Sequence, residues 1–190
     1  MKKLIVASLL AGAGAFSSVA LAQGYIGVGA GQSDFKVDCA GTSSCDTKDT
    51  GYKVFGGWMF TPNFGAEVAY FDLGKAKASG SGDPLLGTFN ISGKADGFAL
   101  YGVALAPFNN FNVFGKLGVS SIKAKVDVSS SLQGSASDSN TSTEFAWGLG
   151  AGYEFTKNLG ARLEFERFRA KFVDEKDNID LISLSVLYRF

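Results

Sequence analysis

The fold of this 190-residue chain is decided by the stretch Glu144-Phe145-Ala146-Trp147-Gly148-Leu149-Gly150-Ala151-Gly152-Tyr153-Glu154-Phe155. Its odd-numbered positions are apolar throughout, with aromatic residues toward both ends. Its even-numbered positions are glycine or alanine in the middle and glutamate toward the ends. Since side chains alternate between the two faces of a β-strand, the pattern predicts a strand with one apolar face and one face of small and charged residues.

The same alternation recurs along the chain and predicts eight strands. We place them at residues 24–36, 51–60, 64–74, 93–106, 111–126, 142–155, 159–172 and 178–190. The connections alternate between short turns at 61–63, 107–110 and 156–158 and mostly longer polar segments at 37–50, 75–92, 127–141 and 173–177. This alternation is typical of transmembrane β-barrels, which have short periplasmic turns and longer extracellular loops.

The apolar face of these strands points either outward into lipid or inward, as in a soluble barrel. Trp and Tyr lie toward the strand ends on the apolar face, as expected at membrane interfaces. The opposite face carries Gly and Ala at mid-strand, and an eight-stranded barrel has little room for side chains inside. We therefore predict an all-β fold, an eight-stranded antiparallel up-and-down transmembrane β-barrel with its apolar face toward lipid. The strand at 93–106 is apolar on both faces, so its orientation stays open.

Residues 1–22 are expected to be separate from the fold. Lys2 and Lys3 precede an apolar run that ends in Ala20-Leu21-Ala22, a pattern that predicts a secretory signal peptide cleaved after Ala22. The alternative is a membrane anchor, but a spanning helix needs about 20 apolar residues and this run is shorter. The predicted barrel domain, residues 23–190, has 16 basic residues (the 18 of the whole chain minus Lys2 and Lys3) and 18 acidic ones, a balance that argues against nucleic-acid binding.

The C-terminal sequence Ser185-Val186-Leu187-Tyr188-Arg189-Phe190 resembles that of the eight-stranded outer-membrane barrels, a family that includes OmpX and the OmpA transmembrane domain. The segments 70–74 and 162–166 are also similar to that family, and the resemblance covers residues 23–190. It implies an outer-membrane location among lipids and lipopolysaccharide. It also implies an assembly signal, formed by Val186, Tyr188 and Phe190, that the insertion machinery recognises. The resemblance does not include the peptidoglycan-binding domain of full-length OmpA, so cell-wall anchoring is not implied.

Charged residues on the small-residue face predict a salt-bridge network inside the barrel. The expected members are Lys53, Glu67, Lys116, Glu144, Arg162, Glu164 and Glu166. Four of these lie at similar distances from a short turn, and a buried charge costs several kcal/mol unless it is paired. The network is either a structural plug or, as the family resemblance suggests, the gate of a narrow ion pathway. The strand at 93–106 lacks the lumen base that OmpA-like barrels carry there, which weakens the gate hypothesis.

A second charged group is basic and has the parity of the lipid-facing residues. Its members are Lys123, Lys125, Arg167, Arg169 and Lys171. With a rise of about 3.3 Å per residue and a tilt of about 40°, we expect Arg167 and Arg169 to reach the outer headgroups. Guanidinium groups match phosphate geometry, so this group is predicted to contact lipopolysaccharide. The alternative is that these side chains extend to the membrane edge without a specific partner.

Cysteine and histidine usage limits the chemistry of the chain. Cys39 and Cys45 lie six residues apart in a polar segment of a predicted exported chain, where a disulfide is expected and a redox role is the alternative. The chain contains no His, which excludes Ser-His nucleophilic catalysis. We predict no metal site, no cofactor and no enzymatic activity, although carboxylate-only chemistry in the loops is conceivable.

The predicted function is structural or surface-interacting. We expect a monomeric barrel that supports the envelope and displays its loops to an extracellular partner that the sequence does not identify. Two alternatives remain: a narrow passive channel gated by the salt-bridge network, and a carrier of small apolar ligands through a side opening.

Overall fold

The computed structural model describes residues 23–36, 44–83, 87–130, 134–172 and 175–190. The predicted signal peptide and Cys39 lie outside these residues. Within them the strands are β1 (Gln23–Phe35), β2 (Ser44–Asp46), β3 (Lys48–Met59), β4 (Phe64–Asp83), β5 (Gly87–Phe108), β6 (Phe111–Ser130), β7 (Gly134–Glu154), β8 (Leu159–Phe172) and β9 (Glu175–Arg189). The described residues contain no helix that is long and apolar enough to cross a bilayer.

Of the described strands, eight close into an antiparallel ring. β1 pairs with β3 on one side and with β9 on the other, which completes the barrel. The three-residue β2 adds to the wall by pairing with β4 at residues 77–79. The predicted eight-stranded antiparallel barrel is therefore confirmed. The short β2 was not predicted, because it lies inside a polar segment without alternation.

The tilt of the strands follows from their register. Starting at Gly24 and stepping across paired residues once around the ring leads to Asp34, ten residues further along β1. For eight strands about 4.8 Å apart, with a rise of about 3.3 Å per residue, this stagger gives a tilt of about 41°. Each residue therefore adds about 2.5 Å of height along the barrel axis.

The two faces of the wall have the chemistry that the sequence predicted. In β7, Ala146 and Gly148 are buried in the lumen, whereas Phe145 and Leu149 are exposed on the outside. β5, whose orientation the sequence left open, turns its odd-numbered residues inward, and Tyr101 is buried there. The outward apolar residues form a belt that spans about 20 Å on β7, close to the roughly 25 Å of the apolar band of outer-membrane barrels.

Two connections that we predicted as long loops are mostly paired strand, and that prediction was wrong. β4 continues to Asp83 and β5 begins at Gly87, while β6 continues to Ser130 and β7 begins at Gly134. The upper parts of these strands are rich in Ser, Thr, Lys and Gly. They lack the apolar stripe by which a strand is recognised in a sequence. The connections at 37–50 and 173–177 are also shorter than predicted, because β3 begins at Lys48 and β9 at Glu175.

The four long strands β4 to β7 make the barrel wall uneven in height. Their upper parts extend about ten residues beyond the apolar belt, which corresponds to about 25 Å. β1 and β8 end lower, at Phe35 and Phe172. The protein therefore carries a polar sheet that stands above one side of the membrane-spanning barrel.

Candidate functional site

Among the described residues, six charged side chains meet in the middle of the lumen. They are Lys53, Glu67, Lys116, Arg162, Glu164 and Glu166, and none is more than 6% exposed. Lys116 lies at the centre: its ammonium is 3.0 Å from Glu67 Oε1 and 2.7 Å from Glu166 Oε1. It also contacts Glu164. These residues come from β3, β4, β6 and β8, so the network ties together strands that are distant in sequence.

The remaining contacts join the six groups into one cluster. Lys53 Nζ lies 2.5 Å from Glu164 Oε2 and 2.6 Å from Glu166 Oε2. Arg162 Nη2 lies 2.7 Å from Glu67 Oε2, and Arg162 Nε lies 3.2 Å from Glu164 Oε2. Three cations balance three anions, and each carboxylate touches at least two cations. This mutual pairing offsets the large cost of removing six charges from water.

Two tyrosines add hydrogen bonds to the cluster. Tyr25 donates its hydroxyl to Glu67 Oε2 at 2.9 Å, and Tyr101 donates to Glu166 Oε1 at 3.3 Å. The ammonium of Lys116 also lies 4.3 Å from the ring centroid of Tyr101. The sequence reasoning missed both tyrosines. The inward facing of Tyr25 could have been predicted, because it shares the parity of the glycines that follow it in β1. The facing of Tyr101 could not, because β5 is apolar on both faces.

Glu144 lies higher on the inward face than the six clustered residues. It is half-buried on β7, opposite Ser120 of β6, whereas Lys116 lies opposite Gly148. The four-residue separation along β7 corresponds to about 10 Å of height. The structure thus brings together six of the seven residues that the sequence placed in one lumen network.

Above the network the lumen is filled by apolar side chains. The layer consists of Phe35, Phe71, Leu73, Ile122, Phe168, Ile179 and Leu181, and none is more than 2% exposed. The rings of Phe71 and Phe168 pack with their centroids 4.4 Å apart. An ion that crossed the described part of the lumen would have to pass this apolar layer and then the ion-pair network.

Below the network lies a small vestibule near the short turns. Tyr25, Met59, Asn112 and Leu187 are among the residues around a cavity of about 30 Å³. At this end Arg189 of β9 forms an ion pair with Glu154 of β7. The vestibule has room for about one or two water molecules.

The basic residues predicted on the outer face fall into two separate groups. The groups are Arg167 and Arg169 on β8, and Lys123 and Lys125 on β6. Arg167 pairs laterally with Trp147, which pairs with Leu117, and Lys123 lies six residues above Leu117. Six residues correspond to about 20 Å along the strand, so these side chains do not share one phosphate-sized site. The side chain of Lys171 lies outside those that the structure describes.

Arg167 is already engaged by a carboxylate. Its Nε and Nη2 lie 2.6 Å and 2.7 Å from the two carboxylate oxygens of Asp180, a bidentate pair. Its guanidinium also lies 5.9 Å from the ring centroid of Trp147. This pairing neutralises the charge of Arg167 at the upper edge of the apolar belt, and it leaves less of that charge to attract a phosphate.

The residues of the predicted assembly signal lie at the base of the barrel. Val186, Tyr188 and Phe190 are exposed on the outer face, and the rings of Tyr188 and Phe190 lie 5.8 Å apart. The amide of Phe190 donates to the carbonyl oxygen of Gly24 at 3.0 Å, so the end of the chain helps to close the ring. Recognition of these residues by the insertion machinery stays a prediction. So does the disulfide of Cys45, because Cys39 lies outside the described residues.

Comparison with known proteins places the chain in a family. Residues 4–190 match the model described as outer membrane protein beta-barrel domain. The chain belongs to this family. It is therefore an outer-membrane β-barrel protein, as the C-terminal resemblance implied. No curated protein matches the chain in sequence.

Solved structures of outer-membrane barrels share this fold. Ail, the attachment invasion locus protein of Yersinia pestis, in complex with the heparin analogue sucrose octasulfate, superposes with a TM-score of 0.57 at 20% identity, covering 89% of this chain and 99% of that one. Neisserial surface protein A gives 0.56 at 14% identity, with 88% and 97% covered. The N-terminal barrel of Pseudomonas aeruginosa OprF gives 0.50 at 12% identity, with 87% and 97% covered. At these identities the likeness establishes the fold.

Proposed function

We propose that this protein is a closed outer-membrane barrel with a structural and surface-interaction role, and that it is neither a channel nor an enzyme. The observation that carries the proposal is the filled lumen. The six-residue ion-pair network and the apolar layer around Phe71 and Phe168 occupy its cross-section one above the other. A barrel filled in this way serves as a stable anchor for the parts that it displays outside.

A channel gated by the network would require charged groups to lose their partners inside the lumen. Each carboxylate of the cluster contacts at least two cations, and Lys116 contacts three carboxylates. Leaving one buried charge without its partner costs about 3–5 kcal/mol, which would keep an open state rare. The apolar layer adds a second barrier, so the network supports the plug hypothesis over the gate hypothesis.

A carrier of small apolar ligands would need a cavity that connects the lumen with the lipid. In the described part of the lumen, the cavity that we find is the small vestibule near the periplasmic turns. A shallow hollow on the outer wall is bordered by Gly102, Ala104 and Gly115, but the buried side chains of Val103 and Lys116 fill the lumen behind it. This hollow faces lipid and supplies no passage.

The surface role rests on the polar sheet above the membrane. The upper parts of β4 to β7 extend about 25 Å beyond the apolar belt and present Ser, Thr, Asn, Lys and Asp to the outside. Ail, which shares the fold, is an attachment invasion locus protein whose structure contains the heparin analogue sucrose octasulfate. By analogy we propose that this barrel, as a monomer embedded in lipid and lipopolysaccharide, uses its raised sheet to contact an external partner.

Single-channel recording of the purified protein in planar bilayers tests the closed lumen. We expect no stepwise conductance, because ions meet both the apolar layer and the paired charges. Protein-free detergent is the blank, and heat-modifiable gel migration of the same sample shows that the barrel is folded. Stepwise currents that change in amplitude in the Glu164→Gln variant would overturn the proposal in favour of a gated channel.

A further inference from the structure

The outer wall above the apolar belt carries lysines directly opposite one another on three neighbouring strands. Lys75 of β4 pairs with Lys94 of β5, and Lys94 pairs with Lys125 of β6. We call Lys75, Lys94 and Lys125 the lysine row. Side chains directly opposite in paired strands have Cβ atoms about 4.5–5.5 Å apart, and like charges in this arrangement destabilise a sheet. Since the row weakens the fold, its charge points to a bound anion.

The charge of the lysine row is only partly neutralised by the protein. Lys94 Nζ lies 2.8 Å from Asp72 Oδ2. Within the part of the chain that the structure describes, no carboxylate lies within 4.0 Å of the ammonium groups of Lys75 and Lys125. One row lower, Lys123 lies opposite Asp96. One row higher, Lys77 lies opposite Asp46, and Asp127 follows two residues above Lys125. With Asp72, these three rows hold five lysines and four aspartates, a net charge of +1.

A β-bulge brings Lys75 into the row. Between the pair Asp72–Asp96 and the pair Lys75–Lys94, β4 advances by three residues and β5 by two. In an uninterrupted strand Lys75 would share the inward parity of Leu73, which is buried in the lumen. The extra residue reverses this parity, and Lys75 is exposed on the outer wall.

The bulge is fixed by a glycine and two aspartates. Gly74 has a φ of +76°, a conformation that residues with a Cβ rarely adopt. A Cβ at this position would lie 2.6 Å from Asp49 Oδ2. That same oxygen accepts the amide of Lys75 at 2.7 Å, and Asp72 Oδ1 accepts the amide of Gly74 at 3.0 Å. The local structure thus holds Lys75 in position beside Lys94.

The height of the lysine row favours a lipid headgroup as its partner. Lys94 lies four residues above Phe98, an exposed apolar residue at the upper end of the belt on β5, which places it about 10 Å above the belt. Lys125 lies six residues above Val119, or about 15 Å above the belt. The row faces sideways from the wall, toward the molecules that surround the barrel. Neighbours at this height are the headgroups of the outer leaflet.

We propose that the lysine row binds phosphate groups on the saccharide headgroup of lipopolysaccharide. This inference rests on the proposed role of the barrel as an anchor in the outer leaflet, and it assigns the phosphate contact to β4, β5 and β6 rather than to Arg167 on β8. Ammonium groups on long flexible stems about 5 Å apart can reach the oxygens of one phosphate together. Lys123, from the basic group predicted in sequence, borders this site.

The test compares two double variants of the full barrel in detergent. Lys75→Gln/Lys125→Gln removes two charges from the row. Lys48→Gln/Lys157→Gln removes two exposed charges from β3 and from a short turn and is the matched control. Binding of fluorescent lipopolysaccharide is measured at about 0.15 M salt, with and without enzymatic removal of its phosphates. We expect the row variant to bind at least about tenfold more weakly than the parent and the control variant to bind like the parent.

Each other result of this experiment overturns the assignment. Equal affinities of the row and control variants would show that the row is not the site. An equal loss for intact and dephosphorylated lipopolysaccharide would show that phosphate is not the ligand. If the row variant loses binding of soluble sucrose octasulfate but keeps that of lipopolysaccharide, the row binds an external sulfated saccharide instead. Conductance of the parent barrel would overturn the proposed closed lumen without changing any of these affinities.

Discussion

The ammonium of Lys116 lies 2.7 Å from Glu166 Oε1, although β7 separates the strands that carry these two residues. The residue of β7 between them is Gly148, which pairs with Lys116 on one side and with Glu166 on the other. A Cβ on Gly148 would lie 3.0 Å from Lys116 Cε and 3.1 Å from Glu166 Cγ. The missing side chain therefore provides the space in which the ion pair forms.

This geometry predicts that Gly148→Leu destabilises the barrel by about 2–4 kcal/mol, because the larger side chain displaces both partners of a buried pair. The measurement is urea unfolding of the refolded protein in detergent or lipid vesicles. Gly102→Leu is the matched control, since Gly102 faces lipid and a Cβ there meets its nearest atom at 3.9 Å. Equal stabilities of the two variants would contradict the role given to Gly148.

Removing a cation and a carboxylate of the cluster together should cost less than the sum of removing each alone. Lys116→Met leaves three carboxylates with one cation fewer, and we expect a loss of about 3–5 kcal/mol. In Lys116→Met/Glu166→Gln the uncompensated charge is removed as well, so the loss should be smaller than the sum of the two single losses. A double-mutant cycle of unfolding free energies measures this coupling, and strict additivity would show that the two groups do not interact.

The apolar layer should contribute to stability independently of the charges. Phe168→Ala removes a fully buried ring that packs on Phe71, and the expected loss is about 3–5 kcal/mol. Because the ion-pair network stays in place below, the variant should still give no single-channel events in a planar bilayer. Stepwise conductance of Phe168→Ala would mean that the apolar layer alone closes the lumen.

The Asp72–Lys94 pair gives a pH-dependent prediction outside the membrane-spanning part. Burial raises the pKa of Asp72, but the hydrogen bonds from Lys94 and from the amide of Gly74 outweigh it, so this pKa lies below the ordinary value of 3.8. A carboxyl whose pKa is lowered by folding stabilises the folded state above its unfolded pKa and loses this effect as the pH falls through the folded value. In a carboxyl NMR titration, we expect a midpoint below 3.8 for the parent and a higher one for Lys94→Gln. An unchanged midpoint would contradict the pairing.

Much of the barrel was predictable because lipid and a narrow lumen impose opposite demands on alternate residues. The stretch at 144–155 shows both demands at once. The inward facing of Glu67, Lys116, Arg162 and Glu164 followed from the alternation, and their similar height followed from their distance to the short turns. Above the membrane both faces of a strand meet water, so the alternation disappears. For this reason the upper hairpins of β4 to β7 were mistaken for loops.

The lysine row was not predictable, since it depends on the register between strands. Lys75 begins the segment predicted as a loop, Lys94 lies nineteen residues later in the predicted strand whose orientation stayed open, and the bulge at Gly74 reverses the facing of the residues that follow it. Lys125 was recognised as an outward basic residue, but without the register it was grouped with Arg167 and Arg169. The periodicity of a sequence predicts on which face of a strand a residue lies. Only the pairing of the strands determines which residues lie beside it.

The most direct test of the closed lumen is the reactivity of a thiol placed between the network and the apolar layer. Ser120 is fully buried there on β6, and Ser129 is exposed further up the same strand. In a Cys39→Ser/Cys45→Ser background, Ser120→Cys and Ser129→Cys are treated with a charged, water-soluble thiol reagent. We predict that the cysteine at position 129 reacts at once and the one at position 120 reacts only after unfolding in urea. Similar rates at both positions in the folded barrel would show that water and ions reach the lumen, and would contradict the closed barrel.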